Sequence, residues 1–279
     1  MNRVPILIYH AIESDDEPVE VKDIGELIYV IGLEEFERQM KYLYDNGYRS
    51  VLLDDYVAFA IHHQNKKKTH GSKVCSDLPE KPVIITFDDG HLSNYTFALP
   101  VLRKYGFVAT FFITTKNIGS PDGMRYEQLR EMAGNGMSIQ SHTMTHPFLS
   151  DLPPQEIRRE LRESKSILEQ QLGKAIDYLA LPGGRCSSTV KSIAMEVGYR
   201  AICTSAIGYN RAGTDLYSLK RWVIRRNTKF STFSSIVRMN YSILTYYRTR
   251  YFLLGGLKKI MGNRLYVAMW EKFLRTYGE

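Results

Sequence analysis

A chain of 279 residues that is 44% hydrophobic and 24% charged can bury a large core, and one α/β domain can use most of it. Three cysteines, Cys75, Cys186 and Cys203, are too few and too scattered for a disulfide scaffold and make no Cys-x-x-Cys cluster, so they read as buried thiols. The net charge of +7 is uneven: residues 220–279 hold 13 Lys or Arg against Glu271 and Glu279, which leaves a net −4 for residues 1–219.

The opening Met1–His10 segment has one positive residue and a short apolar run, without the longer stretch and cleavage site of a secretory leader. It reads as a first core strand, Val4 to Tyr9. Further strands are expected over Arg49 to Leu53, Val83 to Phe87, Val108 to Ile113, Ser138 to Gln140, Tyr178 to Leu181 and Arg200 to Cys203. Between them, helices are expected near Leu33 to Asn46, Asn94 to Lys104, Tyr126 to Asn135, Pro154 to Leu172 and Thr189 to Val197. A glycine follows each helix, at Gly47, Gly106, Gly136, Gly173 and Gly198, where a left-handed residue ends the last turn. Residues 62–81 interrupt the rhythm with His62, His63, Lys66, Lys67, Lys68 and His70, and read as an exposed loop. Three consecutive lysines are too short a run to imply nucleic-acid binding. No apolar run approaches the ~20 residues of a membrane-crossing helix. The chain is therefore expected in the cytoplasm or peripherally at the inner membrane face.

Near-continuous apolar strands alternating with amphipathic helices predict a parallel sheet covered on both faces. Seven or eight such βα units predict a barrel or barrel-like sheet with its site at the carboxyl ends of the strands. Asp88 and Asp89 follow the strand Val-Ile-Ile-Thr-Phe, and His142 follows Met-Ser-Ile-Gln-Ser, so both motifs fall on that rim. Consecutive carboxylates diverge if strand geometry continues, so one can bind a cation while the other approaches a water from another direction. Gly90 frees the backbone to turn just beyond them. His142 and His146, four residues apart, share a face if the segment is helical; Pro147 leaves a loop equally open. Asp89, His142 and His146 make a three-ligand N/O set with room for water, for which zinc is the first choice and iron, cobalt, nickel or manganese are alternatives. Asp88 is then the general base of a metal-dependent hydrolase.

Thr-Phe-Asp88-Asp89-Gly followed by Ser-His142-Thr-Met-Thr-His146-Pro resembles the polysaccharide deacetylase family, also called the NodB-homology or carbohydrate esterase 4 group. The resemblance covers residues 4–225. It implies a distorted (β/α) barrel of seven or eight units that removes N- or O-acetyl groups from glycans such as chitin, peptidoglycan and poly-N-acetylglucosamine. By the same resemblance Asp88 is the base, and Asp89, His142 and His146 are the metal ligands. The opening Ile-Leu-Ile-Tyr-His-Ala-Ile is similar to the start of the biofilm-polysaccharide branch and puts His10 near the site rim. The third family motif, Arg-x-Pro-Tyr-Gly, is here Ala180-Leu181-Pro182-Gly183-Gly184. Gly183 stands at the tyrosine, with an N–H for the oxyanion, and Ala180 stands at the arginine that orients the base. Leu219-Lys220-Arg221 is similar to a Leu-Pro-Arg of related members and makes Arg221 the candidate to restrain Asp88. The late Leu-x-His motif has no match, because no histidine follows His146. The leaving-group proton is then expected from His10, with His91, solvent or the substrate as other sources.

The chain divides into a catalytic domain, residues 1–230, and an aromatic, basic extension, residues 231–279. In the extension Leu257, Ile260, Met261, Leu265, Met269, Phe273 and Tyr277 recur at helical spacing. That amphipathic pattern fits packing on the barrel or a partner subunit, or peripheral contact with an anionic membrane. Three functions remain: deacetylation of an N-acetylated sugar or glycan, deformylation or deacetylation of a lipid-linked or small-molecule amide, and non-catalytic carbohydrate binding or scaffolding on the same fold.

Overall fold

The computed structural model describes residues 3–19, 24–66 and 77–250. Its strands are β1 (Ile6–Tyr9), β2 (Ile12–Glu13), β3 (Ile31–Gly32), β4 (Arg49–Ser50), β5 (Pro82–Phe87), β6 (Thr110–Ile113), β7 (Ser138–Ser141), β8 (Tyr178–Ala180), β9 (Ala201–Cys203) and β10 (Trp222–Val223). Its helices are α1 (Ile24–Leu27), α2 (Leu33–Asp45), α3 (Leu53–Lys66), α4 (Leu99–Lys104), α5 (Tyr126–Gly134), α6 (Pro154–Leu172), α7 (Ser188–Val197) and α8 (Phe230–Val237), and residues 241–250 are also helical. The expected strands and helices are all present within a few residues of their predicted ends. A π-helical turn, Asn94–Ala98, opens the segment that continues as α4.

The strands lie in the order β10-β1-β5-β6-β7-β8-β9, every pairing parallel, with β4 beside the start of β5. Among the described residues, one parallel bridge, Cys203 to Leu219, joins the two margins of this curled sheet. The result is a distorted, incompletely closed barrel. Strand alternation sorts its side chains. Val83, Ile85 and Phe87 pack outward into the large apolar layer under the helices, together with Phe111, Ile139 and Leu179. Ile84 packs inward with Phe112, Tyr178, Ala180 and Ala201. Thr86 and then Asp88 follow Ile84 on that inward register, so Asp88 is aimed into the barrel.

Helix α3 corrects the expectation of a loop from residue 62: the helix runs to Lys66, and residues 67–76 lie outside the described ones. Its face of Leu53, Tyr56, Val57 and Ala60 joins the inward-facing cluster. Tyr178, at the start of β8, donates from its hydroxyl to Asp54 at 3.0 Å. The helix thus stoppers the amino-terminal mouth of the barrel. Cys203, inside it, is fully buried, and burial pushes its thiol up to about 12 despite the nearby Arg221 charge. Cys186 is half-buried and Cys75 is outside the described residues. Phe233, Ile236, Val237 and Leu244 are buried in the outer layer, so the apolar core takes in side chains beyond residue 230. The helical pattern over 257–277 lies outside the described residues.

Candidate active site

Strands β5 and β7 flank β6 in the curled parallel sheet and deliver the two motifs to one rim. Phe87 closes β5 in the outward register; Asp88 points in and is 4% exposed. The backbone then reverses through Asp89 (φ 75°) and Gly90 (φ 81°). A non-glycine residue rarely adopts such a φ, and this turn swings Asp89 away from Asp88 toward the histidines. A side chain at Gly90 would start 3.2 Å from Ile113, so only glycine keeps β6 packed against the turn.

His142 and His146 sit on a loop, not a helix, with Thr143 (φ 69°) and His146 (φ 63°) both left-handed. The loop keeps that shape because it is tied from inside. Glu160 of α6, 2% exposed, accepts from the Met144 and Thr145 N–H groups, both at 2.9 Å, and from the Thr145 hydroxyl at 2.6 Å. Thr143 accepts the His146 N–H at 3.1 Å. Glu160 is a positioning residue that the sequence pattern did not single out. A glutamate on the buried, mainly apolar stripe of Ile157, Leu161, Ser164 and Leu168 is the signal that marks it.

The two rings converge, with centroids 4.9 Å apart. The His142 Nδ1–H donates to the Ala180 carbonyl at 2.9 Å, which leaves Nε2 with its lone pair free to bind a cation. Both Nε2 atoms lie 3.3 Å from Asp89 Oδ1. Neither contact has hydrogen-bond geometry, so that buried oxygen is left without a partner. Three ligand atoms within 4.8 Å of one another, one of them an orphaned buried carboxylate oxygen, are what a borderline divalent cation needs. Burial opposes ionisation of Asp89, but the two imidazoles outweigh it and hold the carboxyl well below its usual range. Burial would push His142 down; Asp88 and Asp89 reverse this and hold it above its usual value. The pocket favours positive charge at the point where the three groups meet.

Asp88 is gripped from below. Arg221, fully buried, donates from Nη1 to Oδ1 at 2.7 Å and from Nη2 to Oδ2 at 2.8 Å. Its Nε–H donates to the Thr204 carbonyl at 3.0 Å, and Nη1 also reaches the Thr86 hydroxyl at 3.2 Å. This bidentate pair fixes the carboxylate plane. Burial raises the Asp88 carboxyl, but the guanidinium overrides that and leaves it below its usual value.

The model of the polysaccharide deacetylase family matches residues 76–202, a span that includes Asp88, Asp89, His142 and His146. YxkH of Bacillus subtilis strain 168, whose name places it among the polysaccharide deacetylases, is 33% identical over 235 residues, covering 84% of this chain and 76% of YxkH. The chain belongs to the polysaccharide deacetylase family. The Streptococcus pyogenes deacetylase PplD, solved in complex with acetate, has a TM-score of 0.69 at 29% identity and covers 82% of this chain and 95% of its own. The Staphylococcus aureus poly-beta-1,6-N-acetyl-D-glucosamine N-deacetylase is 28% identical over 54% of this chain and 49% of its own. The fold is that of the NodB-type deacetylases, and by family the chain is a carbohydrate deacetylase.

The remaining departures from the deacetylase motifs have visible causes. Ala180 has no group to hold Asp88, and the guanidinium that does so comes from Arg221, 133 residues from Asp88 and beyond the family match. Gly183 has φ 63°, and a Cβ there would lie 2.5 Å from the Phe148 ring, which occupies the space a tyrosine would enter. The Arg185 guanidinium lies 4.2 Å from the Phe148 ring centroid. His10 is near the site, with Asp88, Asp89, His142 and Arg221 all acting on its charge. Its carbonyl accepts from Asn94, its ring packs on Tyr29, and its buried Nδ1 has no partner. Burial lowers its pKa more than the two carboxylates raise it, so at neutral pH the ring holds no spare proton. His91 is half-buried, and its Nδ1 accepts from the Ser93 N–H at 3.1 Å. Ser93 Oγ lies 2.7 Å from the same nitrogen while accepting from Ile12, so the His91 proton sits on Nε2. His62 and His63 are on α3, in the helix that stoppers the far end.

Proposed function

We propose that this polysaccharide deacetylase hydrolyses the acetyl amide of an N-acetylated sugar or glycan, with Asp88 as general base and Asp89, His142 and His146 holding a divalent cation. Zinc is the first choice for a two-imidazole, one-carboxylate set, with cobalt, nickel, iron and manganese as alternatives. The observation that carries the reading is the division of labour between adjacent aspartates: Arg221 grips Asp88, and Asp89 turns to face two imidazoles. Acetate in the PplD structure and the N-acetylglucosamine polymer named for the Staphylococcus aureus relative support the acetylated substrate.

When bound, the cation supplies Lewis acidity, which makes a water more acidic and polarises the acyl carbonyl. Asp88 accepts the proton of the attacking water. Arg221 keeps the carboxylate ionised and holds its orientation, so it is a positioning residue. The acyl carbon gains the water oxygen, the C–N bond breaks, and the proton held by Asp88 passes to the departing nitrogen. His10 is neutral, next to both carboxylates, and its role is to guide that proton rather than to store one. The Gly183 N–H is the backbone donor for the oxyanion.

Acetate release from a chitooligosaccharide by the zinc-loaded protein tests the reaction, and formate release from an N-formyl sugar tests the deformylase alternative. Neither product would leave a non-catalytic carbohydrate-binding protein. Asp88→Asn is expected to lower kcat by roughly 100- to 10,000-fold and to leave zinc stoichiometry unchanged. Full turnover in that variant would remove Asp88 as base.

A further inference from the structure

Four cationic side chains, Arg3, Arg211, Lys220 and Arg248, line one cavity of about 430 Å³. Arg3 precedes β1 and Lys220 precedes β10, so the cavity opens at the amino ends of the strands, whereas the metal-binding residues lie at their carboxyl ends. The seven residues from Arg3 to His10 put it roughly 20 Å from the rim. Among the described residues none of the four cations has a carboxylate partner. Asp215, the one acid among the described residues of the wall, is already neutralised: Oδ2 pairs with Lys191 at 2.8 Å and Oδ1 accepts the Tyr217 N–H at 2.9 Å.

The walls are tied together by one buried side chain. Asn210, fully buried, exchanges hydrogen bonds with the Lys220 backbone, donating to its carbonyl at 2.7 Å and accepting its N–H at 2.9 Å. The Asn210 backbone pairs with Val4 in both directions, at 2.8 and 3.1 Å. The backbones that carry Arg3, Arg211 and Lys220 are thus held in one framework. The Arg3 guanidinium lies 4.5 Å from the Tyr241 ring centroid. Tyr209, 8% exposed, forms part of the wall, and its buried hydroxyl has no hydrogen-bond partner. Burial raises its pKa, so the hydroxyl remains a donor.

Like charges gathered on a fixed framework repel one another, and a bound anion relieves that repulsion. Guanidinium forks match the oxygens of phosphate in particular. We propose that this cavity is a second binding site, for the phosphate group of a phosphorylated ligand, separate from the deacetylase centre.

The test is calorimetric titration of inorganic phosphate into the zinc-loaded full chain. Saturable binding is expected, weakened at least 10-fold in Arg211→Gln/Lys220→Gln, with kcat for acetate release unchanged. Arg3→Gln should repeat the loss and guards against a fold defect in the double variant. No saturable binding, or binding that survives these substitutions because phosphate sits on the zinc, overturns the site. Sedimentation with phosphatidylcholine vesicles containing phosphatidic acid separates the sources. Association that phosphate competes away and the double variant lacks identifies a lipid headgroup. Phosphate binding without vesicle association identifies a soluble phosphate ester.

Discussion

In the proposed mechanism the chemistry turns on Arg221 and Asp88, and this buried pair makes sharp demands. Removing one partner strands a buried charge, which costs about 3–5 kcal/mol. Arg221→Met should therefore lose about that much stability in urea denaturation. Arg221→Lys keeps the charge but not the paired donors; it should fold and lose up to roughly 100-fold in kcat through a misplaced carboxylate. The pair also sets a pH dependence. Asp88 has a native pKa below its unfolded value of about 3.9, so its contribution is complete above that pH and is lost as pH falls through the lowered native value. Urea melts between neutrality and strong acid should show a steeper loss in the native protein than in Asp88→Asn. Identical slopes would mean the pair adds no stability. None of this geometry was legible as such in the sequence. Arg221 was a candidate by motif alone, because a guanidinium–carboxylate contact across 133 residues leaves no local pattern. The left-handed turns at Asp89 and His146 were equally hidden: Asp and His enter that region more often than other non-glycine residues, but still rarely.

Among the elements, those with long apolar runs or clear periodicity were readable: β5 and β7 carry the motifs where expected, and α6 spans its predicted residues. Helix α3 was not, although Leu53, Tyr56, Val57 and Ala60 repeat at helical spacing. The polar run beginning at His62 drew attention away from the stripe before it. Strand β10 has two residues, too few for alternation to register. The histidine loop depends on α6 through Glu160, and the charge on that carboxylate is what three donors share. Glu160→Gln offers at most one acceptor oxygen and brings an unwanted donor. We expect it to lower zinc affinity by roughly 10- to 100-fold while the helix content by circular dichroism stays constant. Unaltered affinity would show that the left-handed turns hold the loop unaided.

For the molecule as a whole, a cation held by Asp89, His142 and His146 would link binding to folding. Zinc at a hundredfold excess over its Kd should add about 2.7 kcal/mol of stability, and a chelator should remove it. The shared position of His142 and Asp89 adds a pH term. The His142 pKa lies above its usual value, so protons compete with zinc for the ring, and affinity should fall as pH drops through that raised value. Calorimetry in buffers of different ionisation enthalpy reads the released proton directly; no release would place zinc elsewhere. The stopper formed by α3 has a consequence for traffic. With one end of the barrel shut, sugar and acetate use a single doorway, so a departing acid must clear it before the next acetamido group can seat. Added acetate should then act as a competitive brake on the enzyme, stronger for short, mobile substrates than for a polymer that stays threaded across the opening.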